Sequence, residues 1–234
     1  MKALVVGGSG GIGSAFVSYL HKHAAYDIIS TYNQRLPDNT LSGVNYHQLD
    51  ITNEQSVESF CDSIDEVGLF INAAGFLHSD EFSPEKSTRH INKAYFIESM
   101  MVNALPTLLF SRFLATKFRH KQPAVFATVS ARVGSIEENY LGGWYSYRAS
   151  KAALNQVLKT LAIEWRRNLP NVCVAALHPG TTDTALSKPF KKNVPEDQLF
   201  SADQSVAYMM KVIDNLQPEL TGRFWSFDNT QLPW

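Results

Sequence analysis

Four apolar residues at 3–6 run straight into Gly7-Gly8-Ser9-Gly10-Gly11-Ile12-Gly13, and from there apolar residues recur at helical spacing. A strand, a turn with five glycines in seven positions and a helix constrain the fold more than any other stretch of this chain. The missing Cβ atoms let the backbone turn tightly and approach a ligand. The helix that follows presents free N–H groups and the positive end of its dipole. That construction suits a pyrophosphate, so the turn points to a dinucleotide. Two registers fit, Gly8-x-Gly10-x-x-Gly13 and Gly7-x-x-x-Gly11-x-Gly13, and the glycines do not choose between them.

Short apolar, β-branched runs alternate with longer helical stretches along the rest of the chain, the pattern of βαβ units around a parallel sheet. Strands are expected at 3–6, 27–31, 44–49, 67–71, 124–130, 172–177 and 223–226, and helices at 11–24, 53–65, 93–120, 144–169 and 203–216. Thr52 and Gln55 have the spacing of a capping box for the second helix. Ala-Val-Phe-Ala-Thr-Val at 124–129 and Val-Cys-Val-Ala-Ala-Leu at 172–177 are apolar throughout, as strands covered on both faces must be. The expected fold is α/β: one doubly wound Rossmann domain over residues 1–234, with a seven-stranded parallel sheet and helices on both faces. The polar stretch 188–198 interrupts the last third, but no second core follows it.

Lys and Arg number 21 against 22 Asp and Glu, so no basic surplus advertises nucleic acid or an anionic membrane. No apolar run approaches the roughly 20 residues that span a bilayer, and the run at 3–6 is too short for a signal peptide. The expected compartment is the cytoplasm and the expected partner a small molecule. Cys61 and Cys173 lie in apolar periodic segments and are expected to be reduced core residues.

An acidic residue at the carboxyl end of the second strand would bond the 2′-hydroxyl of NAD, whereas neutral or basic residues admit the 2′-phosphate of NADP. Asp27 opens that strand instead, and its far end reads Thr31-Tyr32-Asn33-Gln34-Arg35. NADP(H) is therefore favoured, with Asn33 and Arg35 as phosphate contacts; NAD(H) stays open, because Arg35 can equally decorate a loop. Tyr147 and Lys151 stand one helical turn apart, a phenol beside a cation. A nearby cation favours the phenolate, and such a tyrosine can pass a proton to or from a carbonyl or alcohol while hydride moves at a nicotinamide.

Gly7-x-x-x-Gly11-Ile12-Gly13, Asp50-Ile51, Asn72-Ala73-Ala74-Gly75, Asn103, Tyr147-x-x-x-Lys151 and Pro179-Gly180-x-x-x-Thr184 together resemble the short-chain dehydrogenase/reductase family, in order and across nearly the whole chain. Ser-Ala-Arg-Val-Gly-Ser-Ile at 130–136, the stretch 142–151, His178 to Thr184 and the ending Leu232-Pro233-Trp234 resemble its subgroup of C-factor signalling proteins and sniffer-type carbonyl reductases. The resemblance implies that Gly7, Ser9, Gly11, Ile12 and Gly13 hold the pyrophosphate, Asp50 and Ile51 the adenine, and Asn72 to Gly75 the middle of the cofactor. Pro179, Gly180, Thr182 and Thr184 would hold the nicotinamide end. Tyr147 would be the acid-base and would also contact the cofactor, Lys151 would bind the ribose and lower the tyrosine's pKa, and Asn103 would relay protons. It also implies a homodimer or homotetramer.

One departure matters. The family's catalytic serine lies three positions before a glycine, and counting back from Gly134 reaches Ala131, with Ser130 beside it. Neighbouring side chains at a strand end point to opposite faces, so Ser130 substitutes only if the backbone bends there. Ser135 is a further candidate donor. Losing one oxyanion donor typically costs about 10²–10³ in rate. The expected function is an NADP-preferring oxidoreductase interconverting a carbonyl and an alcohol; the alternative is a dinucleotide-binding signalling protein with weak or vestigial catalysis. No metal site is expected: His21 and His23 read as a solvated helix end. Tyr140, Trp144, Tyr145, Phe190 and Phe200 suit an apolar substrate pocket or a subunit interface equally.

Overall fold

The computed structural model describes residues 1–23, 26–193, 195 and 198–234. In chain order the elements are β1 (Lys2–Val6), α1 (Gly11–His23), β2 (Asp27–Tyr32), β3 (Val44–Gln48), α2 (Glu54–Asp62), β4 (Val67–Asn72), α3 (Lys93–Asn103), α4 (Leu105–Leu114), β5 (Ala124–Val129), α5 (Tyr145–Asn168), β6 (Val172–His178), β7 (Thr181–Thr182), β8 (Leu199–Phe200), α6 (Ala202–Asp214), β9 (Arg223–Ser226) and β10 (Gln231–Leu232). Ala24, the expected last residue of the first helix, lies outside the described residues, as does part of the polar stretch 188–198.

All seven expected strands form, and they pair in parallel in the order β9-β6-β5-β4-β1-β2-β3. The sheet has an eighth strand as well: β10 adds antiparallel to the β9 edge. Asp228 accepts from the N–H and hydroxyl of Thr230, and Asn229 takes the left-handed conformation, so the chain doubles back within a few residues. A two-residue strand is too short to leave a periodic pattern, and the same holds for the separate β7/β8 ribbon. Along β1, Leu4 and Val6 pack with α2, α4 and α5 on one face, while Ala3 and Val5 pack with α1 and α6 on the other. Strand alternation thus feeds two cores, which is what winds the sheet doubly. Cys61 and Cys173 are buried in them and unpaired.

The expected helix at 93–120 is two helices. Pro106 sits in the first turn of α4 and has no N–H to donate to the Val102 carbonyl one turn back, so the ladder breaks between Asn103 and Leu105. The expected Thr52/Gln55 capping box is absent too. Asp50 accepts from the Thr52 N–H and hydroxyl at 2.9 and 2.7 Å, which moves the N-cap of α2 to Asn53. A reciprocal box does form at Ser201 and Gln204 of α6. Among the described residues no helix is long and apolar enough to cross a membrane.

Strand order reverses between β1 and β4, since β1 leads outward to β2 while β4 leads to β5. The connections leave in opposite directions there, opening a crevice at the strands' carboxyl ends.

Candidate active site

The glycine turn forms one wall of that crevice. Gly7 adopts φ +79°, and its N–H donates to Thr31 Oγ1 at 3.2 Å, while the Gly8 N–H donates to the Thr31 carbonyl at 2.7 Å. A Cβ on Gly13 would lie 2.1 Å from the Gly7 oxygen, so the turn closes only because none is there. A cavity of about 800 Å³ runs from this turn past the ends of β2, β3, β4 and β5 to α5. Its walls include Gly7, Ser9, Gly11, Ile12, Asn33, Asp50, Ile51, Ala73, Ala74, Gly75, Ser130, Tyr147, Lys151, Pro179, Gly180, Thr182 and Thr184.

Four of the expected site residues stand behind these walls. Gly13 shapes the turn from within. Asn72 is buried; its amide donates to Thr107 Oγ1 at 3.3 Å, and its Oδ1 accepts from the Ala74 N–H at 3.1 Å. Asn103 accepts from the Phe76 N–H at 2.7 Å and donates to the Phe76 carbonyl at 2.8 Å and to Ser150 Oγ at 2.9 Å. Its amide is committed to holding the chain beyond Gly75 in place. Arg35 lies in a side recess with Ser9 and Asn33, where it pairs with Asp38 at 2.6 Å, both side chains well exposed. At the other end of β2, Asp27 pairs with Lys2, away from the crevice.

Tyr147 and Lys151 are both buried at the cavity wall, with the Lys151 ammonium 5.9 Å from the centre of the phenol ring. Lys151 Nζ donates to the Val129 carbonyl at the end of β5, at 3.0 Å. Burial brings the Lys151 pKa down to about 8, and burial, with Tyr95 nearby, pushes the Tyr147 phenol far above its ordinary value. At neutral pH the tyrosine therefore carries its proton, the form that can donate to a carbonyl oxygen.

Ser130 still pairs as a strand residue, its N–H donating to the Leu177 carbonyl at 2.7 Å, and its hydroxyl donates to Asn155 Oδ1 at 2.6 Å. The hydroxyl is thus tied to α5, the helix that also carries Tyr147 and Lys151, and Ser130 stays in the cavity wall. Ser135 donates to the Trp234 carbonyl at 3.2 Å. Ala131 lines the cavity with a methyl group.

The aromatic residues divide. Trp144 and Phe190 line the cavity edge to face, centroids 5.0 Å apart, and Trp144 also meets the Tyr147 ring edge-on at 6.1 Å. Leu77, Leu141 and Leu186 complete an apolar wall. Phe200 packs instead against Phe227 and Tyr208, while Tyr140 and Tyr145 are exposed. Two features had no sequence signal. Trp144 takes a left-handed conformation, φ 53° and ψ 42°, unusual for a bulky residue. Glu85, from a polar stretch resembling any loop, is buried against the start of α5.

A family profile described as short chain dehydrogenase matches residues 1–195. The chain belongs to this family. With that membership comes its general chemistry, oxidoreduction with a nicotinamide dinucleotide. The 1-hydroxy-2-glutathionyl-2-methyl-3-butene dehydrogenase of Rhodococcus sp. strain AD45 is 32% identical over 238 residues, 99% of this chain and 98% of that one. The C-signal protein of Myxococcus xanthus is 33% identical over 144 residues, 62% of this chain and 81% of its own. In fold, the chain superposes on the NADPH-bound carbonyl reductase from chicken fatty liver with a TM-score of 0.85 at 23% identity, covering 100% of this chain and 98% of that one. The carbonyl reductase Sniffer of Drosophila melanogaster gives the same score at 19% identity, covering 100% and 99%. Counting back from Gly134, Ala131 stands at the position of the family's serine, while the hydroxyl of Ser130 beside it, also in the cavity wall, is bonded to Asn155 and that of Ser135 to the Trp234 carbonyl.

Proposed function

We propose that the chain is an NADP-preferring dehydrogenase/reductase that interconverts a carbonyl and an alcohol, with Tyr147 as the acid-base. The observation that carries this reading is the placement of Tyr147 and Lys151, buried side by side on a cavity whose other end is a cradle that a single Cβ would fill. The cradle and the strand ends fit a dinucleotide: Gly7, Ser9, Gly11 and Ile12 would take the pyrophosphate, Asp50 and Ile51 the adenine, and Pro179 to Thr184 the nicotinamide end. Bound there, the nicotinamide supplies or accepts hydride. Tyr147 donates its proton to the carbonyl oxygen during reduction and takes it back from the alcohol during oxidation. Lys151, anchored on Val129, holds a positive charge beside the phenol and binds the ribose. Trp144, Phe190 and Leu77 keep water from the substrate and favour an apolar one. Tyr147 is the principal donor to the carbonyl oxygen, which argues for a slow enzyme.

NADP(H) over NAD(H) is supported by the uncharged Tyr32 and Asn33 that line the crevice at the end of β2, by Arg35 in the adjoining recess, where it pairs with Asp38, and by the NADPH bound to the chicken reductase of the same fold. Leu108 on α4 and Ile163 on α5, both exposed, support a homodimer or homotetramer through these helices. We place the protein in the cytoplasm. A second reading, a dinucleotide-binding signalling protein with residual catalysis, is favoured by the missing hydroxyl at Ala131 and the likeness to C-signal.

The test is to titrate the protein with NADPH and with NADH by nicotinamide fluorescence, then to offer 4-nitrobenzaldehyde, 9,10-phenanthrenequinone and diacetyl to the tighter complex. Tighter NADPH binding with consumption of NADPH supports the proposal. Tight binding without consumption of any of the three favours the signalling reading.

A further inference from the structure

Helix α5 carries both Tyr147 and Lys151, yet it begins without a cap of its own. Its N-cap is Trp144 in the left-handed conformation, with no side-chain hydrogen bond, and its first turn contains no acidic residue. The open N–H groups of a buried helix start need acceptors, and a helix without them frays. Here one distant residue accepts from two of the N–H groups, those of Trp144 and Ser146. Glu85, 61 positions earlier, accepts from the Ser146 N–H through Oε2 at 3.1 Å and from the Ser146 hydroxyl through Oε1. Its main-chain carbonyl accepts from the Trp144 N–H at 2.6 Å. Glu85 is 2% exposed and Ser146 1% exposed. A carboxylate buried this deeply needs such donors, and the positive end of α5 adds to them.

The next residue after Ser146 is Tyr147. The Glu85 segment is itself pinned at its start, where Asn103 holds both polar groups of the Phe76 backbone and Tyr95 donates to the Leu77 carbonyl at 2.7 Å. Lys151 lies a full turn deeper in α5 and is held independently by Val129. We propose that Glu85 is a positioning residue for Tyr147, capping the catalytic helix from the segment between β4 and α3 and so fixing the phenol without contacting substrate or cofactor. The role rests on Tyr147 being the acid-base, and it predicts a specific signature. Removing the acceptor disturbs the first turn and its tyrosine, while Lys151 and the glycine cradle, and with them cofactor affinity, stay intact.

The experiment labels the protein with tyrosine carrying 13C at Cζ, assigns the Tyr147 resonance by its loss in Tyr147→Phe, and compares Glu85→Ala, Glu85→Gln and Ser146→Ala. Glu85→Ala is expected to displace or broaden that resonance and to lower the rate of reduction of 4-nitrobenzaldehyde roughly 10- to 100-fold, the scale of a small misplacement of a reacting group. NADPH affinity should stay within about twofold, since the cradle is untouched. Glu85→Gln keeps an acceptor and should restore both signals; Ser146→Ala, which loses only the hydroxyl donor, should displace the resonance less. If Glu85→Ala does not fold, the other two variants carry the test. A Tyr147 resonance unmoved in Glu85→Ala, or unmoved in Ser146→Ala where Glu85→Ala does not fold, would overturn the proposal, and so would a Glu85→Gln variant as disturbed as Glu85→Ala. The resonance decides this even if the wild-type protein reduces no carbonyl, an outcome that would count against the proposed function alone.

Discussion

The two ends of the cavity are built from different materials. At the β1/α1 end the ligand surface is backbone: Gly7, Gly11 and Gly13 turn the chain so closely that added Cβ atoms would meet backbone or the Thr184 side chain at under 3 Å. At the α5 end it is side chains gathered from far apart: Tyr147 and Trp144 beside α5, Leu77 after β4, Phe190 after β7. A backbone site is written in consecutive glycines and tolerates almost no substitution. A side-chain site can be retuned one residue at a time, which is how one scaffold serves many substrates.

The harshest way to break this contrast is Gly13→Val. With Gly7 O at 2.1 Å from the new Cβ, the turn must open, and NADPH affinity should fall about 100-fold or the domain should lose stability outright. Fluorescence titration with a melting curve reads both. At the side-chain end, Ala131→Ser should do the opposite and raise kcat, by roughly tenfold or more if the new hydroxyl meets the developing oxyanion. An unchanged kcat would show that the position no longer faces the substrate.

Proton chemistry sharpens the comparison further. Burial lowers the Lys151 pKa to about 8, so its charge is present below that pH and is lost as the pH rises through it. The log of kcat/KM should fall with a limb near pH 8, and NADPH binding through the glycine cradle should change much less across it. The stability term runs the other way: the unfolded lysine binds a proton up to its ordinary value near 10.5, so stability from this group rises between about pH 8 and that value. The smallest effect is expected at Arg35→Ala. The side chain is exposed and already paired with Asp38, so NADPH affinity should weaken only about fivefold, with NADH binding unchanged. Isothermal titration with both cofactors checks it.

The same contrast explains what could be seen in the sequence. The seven parallel strands came from apolar runs with a clear period, and the cradle from glycines that have few other uses in that position. Tyr147 and Lys151 were visible because one helical turn brings them together. Interactions between distant segments were hidden. Nothing in a polar stretch announces that Glu85 caps a helix 61 residues away, and nothing in Ser130 shows that its hydroxyl turns to Asn155. Pro106 was in view, but a helical pattern on both sides of it concealed the break. Thr52 and Gln55 had the spacing of a capping box until Asp50 claimed the threonine.

The proposed function puts binding and chemistry at opposite ends of one cavity, with the Tyr147 hydroxyl needed for the second and not the first. The most direct measurement is Tyr147→Phe, titrated with NADPH and assayed with the same three carbonyls. NADPH affinity should stay within about twofold of wild type and turnover should fall by roughly 10³-fold or more. Turnover that survives the substitution would contradict the proposed function.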